Sequence, residues 1–443
     1  MGPSDVCRPR GETRVDLDPG DIQGNVVPGF KKDHQTFVLL RFPTLEAGGA
    51  WVKALKPEIA TAEEVSAFNA LFSRIRARRA DNTEPDSGVL GVLAATWLNV
   101  AFSFRGLRML RDAREIERFP AAFKTNRITG AQASDRADDI HAVLIIASDQ
   151  IDDLDAELER QRRRMATHGV EEIAAFRGDT LPGDQRGREH FGFKDAISQP
   201  NIVGISPGLG PPVAVGEFIL GQPDQTGHPS GGGLPEWTRN GSFLAFLQLQ
   251  QHVSTFWSTM RKQAQLLGVK PADVASWTIG RQRDAAGAQL DKPPSSFSHI
   301  GRGYSRWLPP SDALRHRILR RGVPYGPPLK EGEPDDGRRG LLFVTYQADI
   351  ARQFEHVWEK WLNGPDFPVP GAGGDALVGQ AKDPRPASIP RPGQKGGGSI
   401  SLRLPAFATP KYGGYFFTPS IGALSALARV ADRPPVRPGY EAN

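Results

Sequence analysis

The order in which strand-like and helix-like segments follow one another constrains this chain more than any single motif. QTFVLLRF, residues 35 to 42, reads as a buried strand, and EEVSAFNALFSRIRARRA after it sets Val65, Phe68, Leu71 and Ile75 at helical spacing. TWLNVAFSF and DDIHAVLIIASD supply two more strands. IDDLDAELERQRRRMATHG opens with aspartates suited to a helix N-terminus and ends at Gly169, and VEEIAAFRG returns as a strand. That order is βαββαβ, the split-βαβ pattern of a ferredoxin-like sheet.

Past residue 221 the glycines and prolines of QPDQTGHPSGGGLPEWTRNG can sustain neither a helix nor a central strand. The same order of elements then begins again. SFLAFLQLQQHV predicts a strand, and STFWSTMRKQAQLLG a helix capped by Ser254 and ended at Gly268. RHRILRRG and GLLFVTYQAD follow as strands. IARQFEHVWEKWLNG is a helix with Ile350, Phe354, Val357 and Trp361 on one face, and GGYFFTPS is a last strand. The expected fold is therefore α+β: two ferredoxin-like halves with antiparallel sheets and peripheral helices. The domains are expected at 1–220 and 241–443, with 221–240 as linker. Segments 280–312 and 364–411 are too long for plain connections, and loops of that length tend to carry function or wrap a ligand.

Composition narrows the chemistry. The single cysteine, Cys7, permits no intrachain disulfide and no cysteine-based zinc or iron–sulfur site. None of the nine histidines falls in HExxH or another two-histidine zinc spacing, so a metal has to arrive through lone histidines, carboxylates or a cofactor. Fifty-five basic residues against 50 acidic ones leave a scattered +5 without an aromatic–basic stacking module, which argues against nucleic acid as a partner. No run approaches the roughly 18 to 20 apolar residues that span a bilayer, and the first 25 residues lack the apolar core of a signal peptide. The expectations are no membrane partner and a cytoplasmic location.

Three polar residues stand in unusual places. Asp195 sits in EHFGFKDAISQP (189–200) between aromatic and apolar flanks, His299 ends the long insertion in SSFSHIGRGYSRW, and Arg320 lies on the strand that follows. Taken singly, each has a plainer reading: Asp195 as a turn carboxylate capping AISQ, His299 as a surface histidine, Arg320 as a solvated strand end. Taken together, an imidazole, a carboxylate and an always-charged guanidinium are what a haem peroxidase requires.

EHFGFKDAISQP, with SHIGR and HRILRRGVPYG, resembles the dye-decolorizing peroxidase family, nearest its longer C- and D-type branch. DIQGNVVPGF, GEFILGQPD, NGSFLAFLQLQQHV, RGLLFVTYQADIARQFEHVWEKWLNGPDF and YFFTPSIGAL resemble family segments in the same order, from residue 20 to about 430. The resemblance implies one haem b per chain, in the C-terminal half. It further implies His299 as axial ligand of the haem iron, Asp195 as distal acid–base residue, and Arg320 as stabiliser of O–O cleavage in hydrogen peroxide on the way to a ferryl intermediate. Arg302, Ile197, Arg320 and Phe343 would contact the haem, with Leu342 the alternative to Phe343 in the distal lining. Asp375, with Asp366 second, would hold the far nitrogen of His299.

The chain departs from the family pattern at Ala196, where the GxxDG signature ends in glycine, at Gly301, where an arginine is usual, and at Leu247, where arginine is frequent. The implied partners are hydrogen peroxide and an organic reductant such as a dye or phenolic, the chain acting as a monomer or homo-oligomer. Trp307 and Tyr304 are candidates for relaying electrons from large reductants. The alternatives are a haem-binding or haem-carrier protein with little turnover, and a non-haem interaction protein that keeps only the fold.

Overall fold

The computed structural model describes residues 17–80, 94–128, 139–195, 199–205, 210–283, 298–304, 310–330, 332–380, 385–390 and 399–428. Ala196, Ile197 and Trp307 lie outside these residues, as does the side chain of Tyr304.

The first half supplies β1 (His34–Arg41), β2 (Thr96–Phe102), β3 (Ala142–Ser148) and β4 (Glu171–Asp179). After a short parallel pair, β5 (Asn201–Ile202) and β6 (Pro212–Val213), the second half supplies β7 (Ser242–Gln251), β8 (Leu319–Arg320), β9 (Val323–Tyr325) and β10 (Gly340–Gln347). A hairpin of β11 (Arg385–Pro390) and β12 (Ser399–Leu404) precedes β13 (Ala408–Thr418). The main sheet runs β4-β1-β3-β2-β13-β7-β10-β8, with β9 paired to β10. Each half thus has its fourth strand beside its first and its third between first and second. The pairings are antiparallel, Phe37 facing Ile145 in one half and Phe343 facing Leu247 in the other.

The two halves join where β2 meets β13, at the single pair Phe102 and Phe417. The buried amide of Gln23 supplements that seam: its nitrogen donates to the Val100 and Pro419 carbonyls, and its oxygen accepts from the Val100 N–H. At the far edges β4 comes against Val323 and Pro324, an approach only Gly178 allows, because a Cβ there would stand 2.4 Å from the Val323 side chain. The sheet curls on itself and its inner face is apolar. Phe37 and Phe176 of the first half meet Phe246 of the second at ring distances of 5.4 and 5.6 Å. β1 and β3 are buried along almost their whole length because helices cover their outer face, so they read as continuous apolar runs.

Helix ends follow local chemistry in some places and distant chemistry in others. Ile151–His168 carries Asp152 and Asp153 in its first turn, and Gly169 closes it at φ +71°. Val253–Leu267 begins at His252, and Ser254 does not cap it. The Asp335 carboxylate, brought from the loop before β10, accepts from the Ser254 and Thr255 N–H groups at 2.8 and 2.9 Å. Ile350–Leu362 is a π-helix rather than an α-helix. With its wider turn, Gln353 and Trp358 join Ile350, Phe354 and Trp361 among the buried residues, while Val357 stays half-buried.

Candidate active site

The short helix His299–Tyr304 leaves the 280–312 insertion with Ser298 at its start, where the serine hydroxyl accepts from Gly301 N–H and its carbonyl from Arg302 N–H. His299 heads this helix, and its Nδ1 lies 3.1 Å from Oδ1 of Asp375. Asp375 is fully buried, and the same oxygen accepts from Leu377 and Val378 N–H at 2.9 and 2.8 Å. Burial alone would raise its pKa, but the His299 charge and hydrogen bond, with the Val378 N–H, hold it well below the usual carboxylate range. His299 shows the mirror balance: burial depresses the imidazole, and the field and hydrogen bond of Asp375 outweigh it, so its pKa is raised. An ionised Asp375 accepts only, so in the neutral imidazole Nδ1 is the protonated nitrogen and the lone pair is on Nε2.

Asp366 plays no part in this pairing; it accepts from Gly371 N–H at an exposed turn. Arg302, one turn from His299, is buried but does not reach the cavity wall. Its guanidinium donates to the Trp361 and Ala372 carbonyls at 3.3 and 3.4 Å, with Nε left unpartnered. A long side chain reaches past its own helix to the end of the π-helix, so nearness in sequence to His299 does not bring it to the same space.

Asp195 ends a loop knotted by its own backbone. Glu189 N–H donates to the Phe193 carbonyl, Gly192 N–H to Glu189, and Asp195 N–H to Gly187, at 2.8 to 3.0 Å. Gly192 turns this loop at φ +94°, a conformation that favours glycine. Arg188 donates to the Gly192 and Arg283 carbonyls and Arg281 to that of Lys194, while Phe191 packs on Phe256 at 4.5 Å between ring centres. Arg320 stands on β8, clasped by Gln199, whose side chain accepts from its N–H and donates to its carbonyl. Arg321 turns the other way and donates to the Asn25 and Val26 carbonyls, burial pulling its pKa down to about 10.

These elements enclose a cavity of about 220 Å³ on the outer face of the second half. Asp195, His299, Arg320 and Phe343 all line it, together with Leu249 and Trp358. Leu342, the neighbour of Phe343, belongs to the opposite face of the sheet and is packed inside the curl, as strand alternation requires. A second, wider cleft of about 690 Å³ shares Asp195 and Arg320 with the first and is lined by Lys31, Lys32, Arg186 and Arg321. The carboxylate and the guanidinium therefore stand between an apolar inner chamber and a basic outer cleft.

The donor set suits a metal carried in by a cofactor. Among the described residues no three His, Cys, Asp or Glu side chains gather to hold a bare ion. One imidazole, its far nitrogen fixed by a buried carboxylate, turns its lone pair to an apolar chamber, and that is how an axial ligand for a porphyrin iron is presented. Sequence reasoning passed over Glu189 and Gln251, which also line this chamber. The signal for Glu189 lay in the same stretch as Asp195, an acid at the mouth of the aromatic run EHFGF.

Two family models match the chain: one described as "DyP dimeric alpha+beta barrel domain" over residues 21–182, and one as "Dyp-type peroxidase, C-terminal" over residues 230–367. Peroxidase 2 of Mycetinis scorodonius is 27% identical over 477 residues, covering 93% of this chain and 87% of that one. An ancestral D-type dye decolorizing peroxidase of solved structure is similar at a TM-score of 0.75 and 27% identity, over 92% of this chain and 98% of that one. A dye-decolorizing peroxidase solved in complex with 2,6-dimethoxyphenol is similar at a TM-score of 0.72 and 25% identity, over 93% and 100% of the two chains.

Proposed function

The chain belongs to the dye-decolorizing peroxidase family and is a haem-dependent peroxidase, and from that premise we propose how its own residues divide the work. The inner chamber would hold one haem b, whose iron His299 would bind through Nε2, with Asp375 keeping the imidazole oriented and electron-rich. When bound, haem supplies the iron at which peroxide is cleaved and the store of oxidising equivalents drawn on by the reductant.

Asp195, in its carboxylate form, takes a proton from one oxygen of hydrogen peroxide and returns it to the other, which leaves as water. Arg320 keeps its charge throughout and stabilises the negative charge that develops on the leaving oxygen. Phe343, Leu249 and Trp358 keep the chamber apolar, so both effects act in a medium of low dielectric. Peroxide enters by the basic cleft, and an organic reductant too large for the chamber gives up its electrons from outside.

The observation that carries this reading is one apolar chamber lined at once by a carboxylate-backed histidine and by the Asp195 and Arg320 pair. The visible spectrum of the purified, haem-supplemented protein tests it. A Soret band that changes on adding peroxide and recovers with an organic reductant is the expected result. No Soret band removes the haem site, and a band indifferent to peroxide leaves a haem carrier.

A further inference from the structure

Glu189 is a half-buried acid that the roles of His299, Asp195 and Arg320 leave unused. Its carboxyl lines the chamber with Asp195, six positions further along the same loop. Its partners are all uncharged donors: Phe193 N–H to Oε1 at 2.9 Å, and Phe191 N–H and the Gln251 amide to Oε2 at 2.8 and 2.6 Å.

Lys194, Arg281, Arg317, Arg320 and His316 also line the chamber, and among the described residues none of them forms an ion pair with Glu189. On its own loop Arg188 is spent on two carbonyls, and Lys194 points its carbonyl to Arg281. After the helix Pro271–Ile279, Arg283 lies over the Trp257 ring. Arg320 on β8 and the His299–Asp375 pair share the chamber, and β7 offers only the neutral Gln251. Among the described residues Glu189 forms no ion pair, and a protonated carboxyl held by neutral donors needs none. Burial accordingly pushes Glu189 up to about 7, against the pull of the Phe191, Phe193 and Gln251 donors and with the help of the Asp195 charge. Oε2 takes two of the three hydrogen bonds, so the proton belongs on Oε1.

We propose that Glu189 is the proton reserve of the chamber, a positioning residue that acts through Asp195 rather than on the peroxide itself. The reading deepens the peroxidase assignment and rests on Asp195 being the base. The peroxide step is proton-neutral, so the reserve serves the step after it. Once Asp195 has returned the peroxide proton and is a carboxylate again, each electron that the organic reductant delivers calls for a proton. The O–H bond of Glu189 breaks, its proton moves through water to Asp195, and Asp195 passes it to the oxygen that leaves the chamber as water. Glu189 remains as a carboxylate steadied by its three donors until a proton from the basic cleft refills it. Two carboxyls held on one loop in unlike surroundings thereby take unlike roles.

Infrared titration and single-turnover kinetics of the haem-loaded enzyme test the proposal. The wild type should show the carbonyl stretch of a protonated carboxylic acid that bleaches as pH rises through about 7, and the reduction of its peroxide-oxidised form by a phenol should change slope there. Glu189→Gln should lack both features. Gln251→Met removes one donor to the ionised form without touching the acid, and should move both features up by about one pH unit. This variant also carries the test if Glu189→Gln does not fold. A band or a break that stays in place in every folded variant belongs to another group and overturns the relay alone. A wild type that takes up no haem overturns the peroxidase reading and the relay with it, while the infrared band still reports the protonation of Glu189.

Discussion

The two halves of the sheet share one strand order but treat their outer faces differently. In the first half, helices press directly on the strands: Trp51 of the helix Leu45–Leu55 is fully buried, and Phe42 packs on Trp51 and Phe102 at ring distances of 5.7 and 6.4 Å. In the second half, the corresponding space is walled by the short His299 helix, the π-helix and the distal loop, and it is left as a chamber. The same scaffold is stabilised on one side by filling a volume and made useful on the other by keeping one open. Stability and function are thus separated across the seam between β2 and β13.

The sharpest way to break this comparison is His299→Ala. It should abolish haem uptake, read as loss of the Soret band, while circular dichroism shows the fold intact; full haem retention would move the ligand elsewhere, with His316 on the same chamber wall the first suspect. Arg320→Leu should keep haem and slow the peroxide reaction by about 10² to 10⁴, measured by stopped flow, since a charge stabilising the transition state is lost. Trp51→Ala inverts the pattern. It should destabilise by about 3 to 5 kcal/mol in chemical denaturation and leave the haem content of the folded protein unchanged.

The last contrast is in pH. Glu189 has its folded pKa raised from 4.5 to about 7, so the stability linked to it is complete below about 4.5 and is lost as pH rises through about 7, a change of about 3 kcal/mol that Glu189→Gln should remove. Glu58, beside the first half, has its carboxyl lowered to about 2 by the Arg164 hydrogen bond, against burial and with help from Arg160. Its contribution is present above about 4.5 and lost as pH falls through about 2. Because that site is open to solvent, the acid-side loss should be the smaller of the two. Melts of wild type, Glu189→Gln and Glu58→Gln across both windows read the two slopes.

What the sequence made legible was whatever is decided nearby in the chain. The strands β1, β3 and β7 read true because each carries a run of apolar residues buried on both faces, and the helix Ile151–His168 read true because its aspartates and Gly169 lie at its own ends. The cap of the helix Val253–Leu267 did not, since Asp335 arrives from 80 residues away. The π-helix did not either, because Ile350, Phe354, Val357 and Trp361 fit a 3.6-residue period whatever pitch the packing later imposes. In the site, the pairing of His299 with Asp375 over 76 residues was within reach of the family resemblance. The course of the buried Arg302 side chain depends on where the Trp361 and Ala372 carbonyls end up, and no pattern in SHIGR encodes that.

The strand that unites the two halves is β13, residues 408 to 418, and it is the last strand of the main sheet to be synthesised. Until it leaves the ribosome, β7 lacks one neighbour, β2 has an open edge, and Gln23 cannot reach the carbonyl of Pro419, 396 positions away. A nascent chain of this protein therefore lacks the hydrogen-bonded seam between its halves until the last strand is out. The barrier to finishing it is one of search through the chain rather than of local preference.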